Sequence, residues 1–328
     1  VTPKLETPST LTAEPNIGNG LRDVIQSGWT GWGFGGMPDH LSWLLLTGGP
    51  RSISKVVGLV FAEPDHQPRL AVKMARVPEA LPALDGEATA LQAVQLLSPQ
   101  GMPGVPRLLF RLDRPGFIAL GETFLTGVPL GTLLGRHNYR ELALKATRWL
   151  ADLAGQATPL PRATWWHRLV ESVLVDFDAS FDPVVDPAML RETRAILATL
   201  GDMPIVCEQR DFSPWNILLT PDGSLAVLDW ESAELQGLPG MDLIYFLSYL
   251  AFFLDGAMES GHCRGSYRTA MNPSTLTGSV TQECLSLYCD QLGLEPGALN
   301  PIRLLVWLLH SRSEYQHMTA DAGGRPGP

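Results

Sequence analysis

The stretch Gln209-Arg210-Asp211-Phe212-Ser213-Pro214-Trp215-Asn216-Ile217-Leu218-Leu219 limits the folds open to this chain more than any other. Its apolar end turns through Thr220-Pro221-Asp222-Gly223 and returns as Leu225-Ala226-Val227-Leu228, ahead of Asp229-Trp230-Glu231. Asp-Gly between two apolar runs is a strong hairpin signal. Such a hairpin brings Asn216 and Asp229 to one end, beside the loop that carries Asp211. Ile205-Val206-Cys207 reads as a short buried strand feeding that loop, and Pro214 stiffens it. Any fold for this sequence must place an acid, an amide and a second acid around one hairpin end.

That set suits phosphoryl transfer. A carboxylate at Asp211 can orient an attacking hydroxyl and take its proton, an effect typically worth about 10²–10⁴-fold in rate. The Asn216 carbonyl oxygen and the Asp229 carboxylate are hard oxygen donors. Mg²⁺ prefers such donors and completes its shell with waters and phosphates. The spacing, the two flanking apolar strands and the turn all agree with this reading.

Further N-terminal, three short apolar runs with turn signals between them predict an antiparallel meander: 41–46, 54–62 and 69–74. The third, Leu70-Ala71-Val72-Lys73-Met74, has the pattern of a strand whose lysine reaches nucleotide phosphates, with Glu87 on the next helix to hold it. Asp85 is placed to cap that helix, over 86–97. The turn Gly48-Gly49-Pro50-Arg51-Ser52 lies where a phosphate-covering loop belongs, so Ser52 is a candidate contact. An ordinary hairpin turn remains the alternative there. Strands are expected at 105–110 and 117–124.

Beyond Gly127 the period becomes helical. Asn138 and Glu141 have the form of a capping box ahead of an apolar face at Leu142, Ala146, Trp149, Leu150 and Leu153. Asp186-Pro187 opens another helix, 243–254 reads as a buried core helix, and a further helix is expected over 301–317. Residues 1–40, rich in Thr, Pro and Gly, are expected to lack regular structure, with their aromatics packed on something. The resulting scheme is α+β and bilobal: an N-terminal extension (1–40), a small antiparallel-sheet lobe (41–125) and a larger, mainly helical lobe (126–328).

A chain of 328 residues favours two lobes, and 45% apolar with 18% charged residues is a globular composition. The net charge of −10 argues against nucleic-acid binding and is compatible with a cationic substrate. The apolar run 243–254 is too short to cross a bilayer. With no basic leader at the start, a cytoplasmic protein is the expectation. Val1 in place of Met fits an alternative start, a processed end or a piece of a longer protein. The four cysteines form no CxxC pair, which disfavours zinc and predicts inert thiols in a reducing compartment.

In QRDFSPWNILL, AVLDWESA and GLPGMDLIYFL, and more weakly in AVKMAR and GEATALQAV, the sequence resembles the aminoglycoside phosphotransferase/choline kinase-like family, which has the protein-kinase-like fold. The resemblance implies a kinase that moves the γ-phosphate of ATP or GTP to a hydroxyl of a small molecule of aminoglycoside, sugar or amino-alcohol type. It implies Asp211 as base, Mg²⁺ on Asn216 and Asp229, nucleotide on Lys73 and Glu87, and Asp242 bracing the catalytic loop. GETFLTG resembles the hinge that binds adenine through its backbone, which brings in Glu122 and Phe124. Two departures stand out: Gln209 where the family usually has His, and a poorly matched glycine loop. They leave open a degenerate kinase fold that binds nucleotide or a protein partner without turnover. Trp165, Trp166, Asp176, Asp178, Asp255 and Glu314 are possible contributors to an acceptor pocket.

Overall fold

The computed structural model describes residues 17–47, 55–97, 101–115, 117–155, 157–182, 184–295 and 297–322. Strands β1 (Leu41–Thr47), β2 (Val56–Ala62), β3 (Pro68–Met74), β4 (Leu108–Arg114) and β5 (Phe117–Thr123) form one antiparallel sheet in the order β1-β2-β3-β5-β4. β3 is the central strand, and its Leu70, Ala71 and Val72 are buried. The register pairs Lys73 with Val57 on β2 and Leu120 on β5, and pairs Ala71 with Glu122. Lys73 and Glu122 are therefore diagonal neighbours on one face.

Four expectations need correction. The residues before β1 contain helix α1 (Ile17–Gly28), because Leu21, Ile25 and Trp29 recur every four positions and bury one face. Glycine becomes dense only from Gly28 onward. The aromatics do pack as expected: Trp29 meets Phe34 at 5.1 Å, and Trp32 stacks on Phe110 of β4 at 5.5 Å. The strand expected over 105–110 lies instead at β4, since alternation rather than continuous apolarity suits an edge strand: Leu112 is buried while Arg111, Asp113 and Arg114 are exposed. Helix α2 (Leu81–Leu97) begins a turn before Asp85, so Asp85 caps nothing and pairs with Arg111 at 2.8 Å. Helix α3 (Tyr139–Ala154) starts after Asn138 without a side-chain cap bond. The Asn138 amide instead accepts from the Gly135 N–H and donates to the Leu133 carbonyl.

The rest is mainly helical: α3, α4 (Ser172–Phe181), α5 (Pro187–Leu197), α6 (Met241–Leu254), α7 (Leu276–Leu292) and α8 (Ile302–Ala322). The Asp186 side chain accepts the Ala188 N–H at the start of α5, as Asp-Pro predicts. α6 is buried through almost its whole length among α3, α7 and α8, as its apolar run requires. Among the described residues no helix is long and apolar enough to cross a membrane. The expected hairpin forms from β7 (Ile217–Leu219) and β8 (Leu225–Val227), with Leu218 opposite Ala226. Gly223 takes φ +80° in its turn, and the Asp222 carboxylate accepts the Ser224 N–H. Short β6 (Val206–Glu208) pairs with β9 (Glu234–Gly237) beside it.

Candidate active site

The loops that carry Asp211 and Asp229 alternate anchors with polar groups. Phe212 is fully buried, stacked on Trp149 at 5.4 Å and edge-on to Phe246 at 5.4 Å. Trp230 is equally buried and donates its indole N–H to the Val227 carbonyl. Each full burial of such a ring contributes roughly 2–3 kcal/mol. The polar neighbours Asp211, Asp229 and Glu231 are thereby held between fixed points. Arg210 (φ 67°) and Asp229 (φ 58°) adopt left-handed backbone conformations. Such strain persists only where the surroundings over-determine it.

Gln209 supplies much of that determination. Its side-chain N–H₂ donates to the Leu228 (3.0 Å) and Asp229 (2.6 Å) carbonyls, and its Oε1 accepts the Asp211 N–H at 2.8 Å. Asp242 accepts the backbone N–H groups of Gln209 (2.6 Å) and Arg210 (2.8 Å). The amide thus bridges the two acidic loops, and the departure from His leaves its buried groups bonded.

Asp211 Oδ2 accepts from the Asn216 amide at 2.7 Å, and Oδ1 accepts from the Tyr245 hydroxyl at 3.3 Å. Burial, followed by the charge of Asp229, pushes the Asp211 carboxyl up to about 7, against the lowering effect of those hydrogen bonds. A carboxyl poised there suits proton acceptance near neutral pH.

On the sheet side, Lys73 and Glu87 form a buried ion pair, and Lys73 also lies 3.1 Å from Glu122. Glu87 is fully buried and accepts the Trp230 N–H at 3.1 Å, which ties α2 to the Asp229 loop. Gly86 permits this approach, since a Cβ there would stand 2.8 Å from the Glu231 carbonyl oxygen. Glu122 meets the site with its side chain, and burial pushes that carboxyl up to about 7 against the pull of Lys73. The Phe124 N–H is bonded to the Arg69 carbonyl at 3.2 Å. Ser52 lies outside the described residues.

Lys55 went unread in the sequence. Its ammonium lies 3.2 Å from Glu87, 3.0 Å from Asp229 and 2.5 Å from Glu231. Burial, the largest influence, works against its charge, but Glu87 and Asp229 outweigh it and the pKa lies above the usual lysine range. For Asp229, burial again leads and Lys55 with Lys73 outweighs it, holding the carboxyl below its ordinary value. No sequence signal marked it: Lys55 shares the face of Lys73 only through the register that pairs Lys73 with Val57.

A cavity of about 800 Å³ opens beside Asp211, walled by Trp215, Glu231, Tyr245, Tyr249 and His310. Of the six residues named as possible acceptor contacts, Glu314 alone lines it. Trp165 is buried in the core, Trp166 lies under the Arg162 guanidinium, Asp176 pairs with Arg312, and Asp255 accepts from Ser266. Among the described residues no group of three His, Cys, Asp or Glu side chains forms a metal cage. The donor set nonetheless fits Mg²⁺ held jointly with phosphates. The Asn216 N–H₂ is turned to Asp211, which frees its carbonyl oxygen, and the ionised Asp229 supplies a second hard oxygen.

No curated protein matches this sequence. Solved structures match in fold. Aminoglycoside phosphotransferase APH(3'')-Id from Streptomyces rimosus, in complex with ADP and streptomycin, is 15% identical over 85% of this chain and 97% of its own, at a TM-score of 0.50. Aminoglycoside-3'-phosphotransferase of type VIII is 15% identical over 87% and 99%, at 0.49. The family model described as the phosphotransferase enzyme family, APH, matches residues 38–267. With its five-stranded sheet followed by a mainly helical region, the chain has the kinase-like fold and belongs to the APH phosphotransferase family.

Proposed function

We propose that the protein is a small-molecule kinase, moving the γ-phosphoryl group of ATP or GTP to a hydroxyl of an acceptor seated in the 800 Å³ cavity. The observation that carries this is Asp211: a carboxyl raised to about 7, on the cavity wall, bonded to Asn216 and within the field of Asp229. In the reaction the acceptor oxygen bonds to the γ-phosphorus as the bond to the nucleoside diphosphate oxygen breaks. The hydroxyl proton passes to Asp211. Lys73, oriented by Glu87 and Glu122, provides positive charge for the nucleotide phosphates. Mg²⁺, when bound through Asn216 and Asp229, would neutralise charge on those phosphates. The aromatic walls, with the acids Glu231 and Glu314 and the bases Arg210 and Arg312, suit a polar acceptor in the aminoglycoside, sugar or amino-alcohol range.

The test is ATP consumption against a panel of such alcohols, with wild-type protein and Asp211→Asn. The expected result is turnover with at least one acceptor and a loss of about 10²-fold or more in the variant, with Mg-nucleotide affinity retained. Nucleotide binding without consumption across the panel would favour the non-catalytic alternative. Equal turnover by both proteins would remove Asp211 from the base role.

A further inference from the structure

We propose that Lys55 is a positioning residue of the phosphate site, one that shares Asp229 with the metal and so couples metal binding to nucleotide binding. This rests on the phosphotransferase reading above. The chain provides two lysines on one face of the sheet, because Val57, two residues beyond Lys55, is the cross-strand partner of Lys73. They divide Glu87 between them, Lys73 on Oε1 and Lys55 on Oε2. Lys73 then turns to Glu122, within the sheet region, whereas Lys55 reaches across to Asp229 and Glu231 on the loop after β8. Its side chain is only 12% exposed. A lysine so buried is held there by its carboxylates, and one of them is the proposed metal ligand.

Asp229 cannot serve both cations fully. The ammonium, shared with Glu87 and Glu231, already occupies one oxygen of that carboxylate, so a divalent ion arriving alone meets a partly engaged ligand and a like charge beside it. A nucleotide changes that balance, since its phosphates give the ammonium new anionic partners just where Asp229 is ceded. Lys55 thereby disfavours metal without nucleotide and favours the two together.

The experiment measures binding of Mn²⁺ alone and of Mn-ADP, by calorimetry and by Mn²⁺ electron paramagnetic resonance, for wild type, Lys55→Met and Lys55→Arg. Lys55→Met is expected to bind free Mn²⁺ about tenfold tighter and Mn-ADP about tenfold weaker than wild type. Lys55→Arg, which keeps the charge, is expected to stay close to wild type in both. A general loss of structure cannot produce the gain in Mn²⁺ affinity. Should the Met variant not fold, Lys55→Gln carries the same expectation. If wild type binds Mn-ADP but the neutral variant fails either half, the Lys55 proposal is overturned alone. If wild type binds no Mn-ADP, the phosphotransferase reading falls and takes this proposal with it.

Discussion

Asp211 is governed by opposing influences, and they make its behaviour measurable. Burial and Asp229 raise its pKa to about 7, while the bonds from Asn216 and Tyr245 restrain it. A raised carboxyl is protonated, and useless as a base, below that value. The kcat/KM of the free enzyme should therefore fall about tenfold per unit below pH 7 and level off above it. Tyr245→Phe removes one restraining bond, so the inflection should move to higher pH in a pH–rate profile; a move to lower pH would contradict the assignment. Gln209 acts at the same scale. Gln209→Ala strands the Leu228 and Asp229 carbonyls and the Asp211 N–H. Unpaired buried groups cost about 1–3 kcal/mol each, so urea unfolding should show a loss of at least about 3 kcal/mol. An unchanged midpoint would mean that water replaces the side chain.

Among the elements, α2 sets the distance between the sheet and the acidic loop. The contact is close because Gly86 lacks a Cβ. Alanine would suit the helix better by about 1 kcal/mol, yet its Cβ would strike the Glu231 backbone and push Glu87 away from Trp230 and Lys73. Gly86→Ala is expected to raise KM for the nucleotide about tenfold while thermal stability changes little, because misplacement of positioning groups is costly to function. Steady-state kinetics alongside a thermal melt separates the two effects. Helix α1 and the turn that follows it contribute to stability instead. Trp29 is buried against Phe34 and bonded to the Gly36 carbonyl. Trp29→Ala should cost about 3–5 kcal/mol in chemical denaturation, with KM unaffected.

At the level of the whole molecule, the sheet and the helical region meet at the site through charge as well as apolar packing. Lys55 and Glu87 from the one side engage Asp229, Glu231 and Trp230 from the other. A ligand that binds there joins both regions and should stabilise the entire fold. Mg-ADP at about 100 times its Kd should add about 2.7 kcal/mol, seen as a raised melting temperature. Asp229→Ala should abolish most of that gain, and a full gain in the variant would count against its metal role.

The β7–β8 hairpin, the α6 core helix and the Asp186 cap were legible from residue order, because each depends on local chemistry: Asp-Gly in a turn, an unbroken apolar run, Asp before Pro. The family signature likewise lies in contiguous stretches. Lys55 was not legible, since its partners are remote in the chain and only sheet register brings them together. The same holds for Gly86, whose need to be glycine is set by a carbonyl on another element. Asp85 and Asn138 fitted local capping rules, but tertiary packing started α2 earlier and turned Asn138 toward its own preceding turn. Local sequence thus determined which groups this protein carries and on which elements. Only the folded chain decided which charges share one small volume, because Coulombic and steric contacts depend on distance in space and not along the backbone.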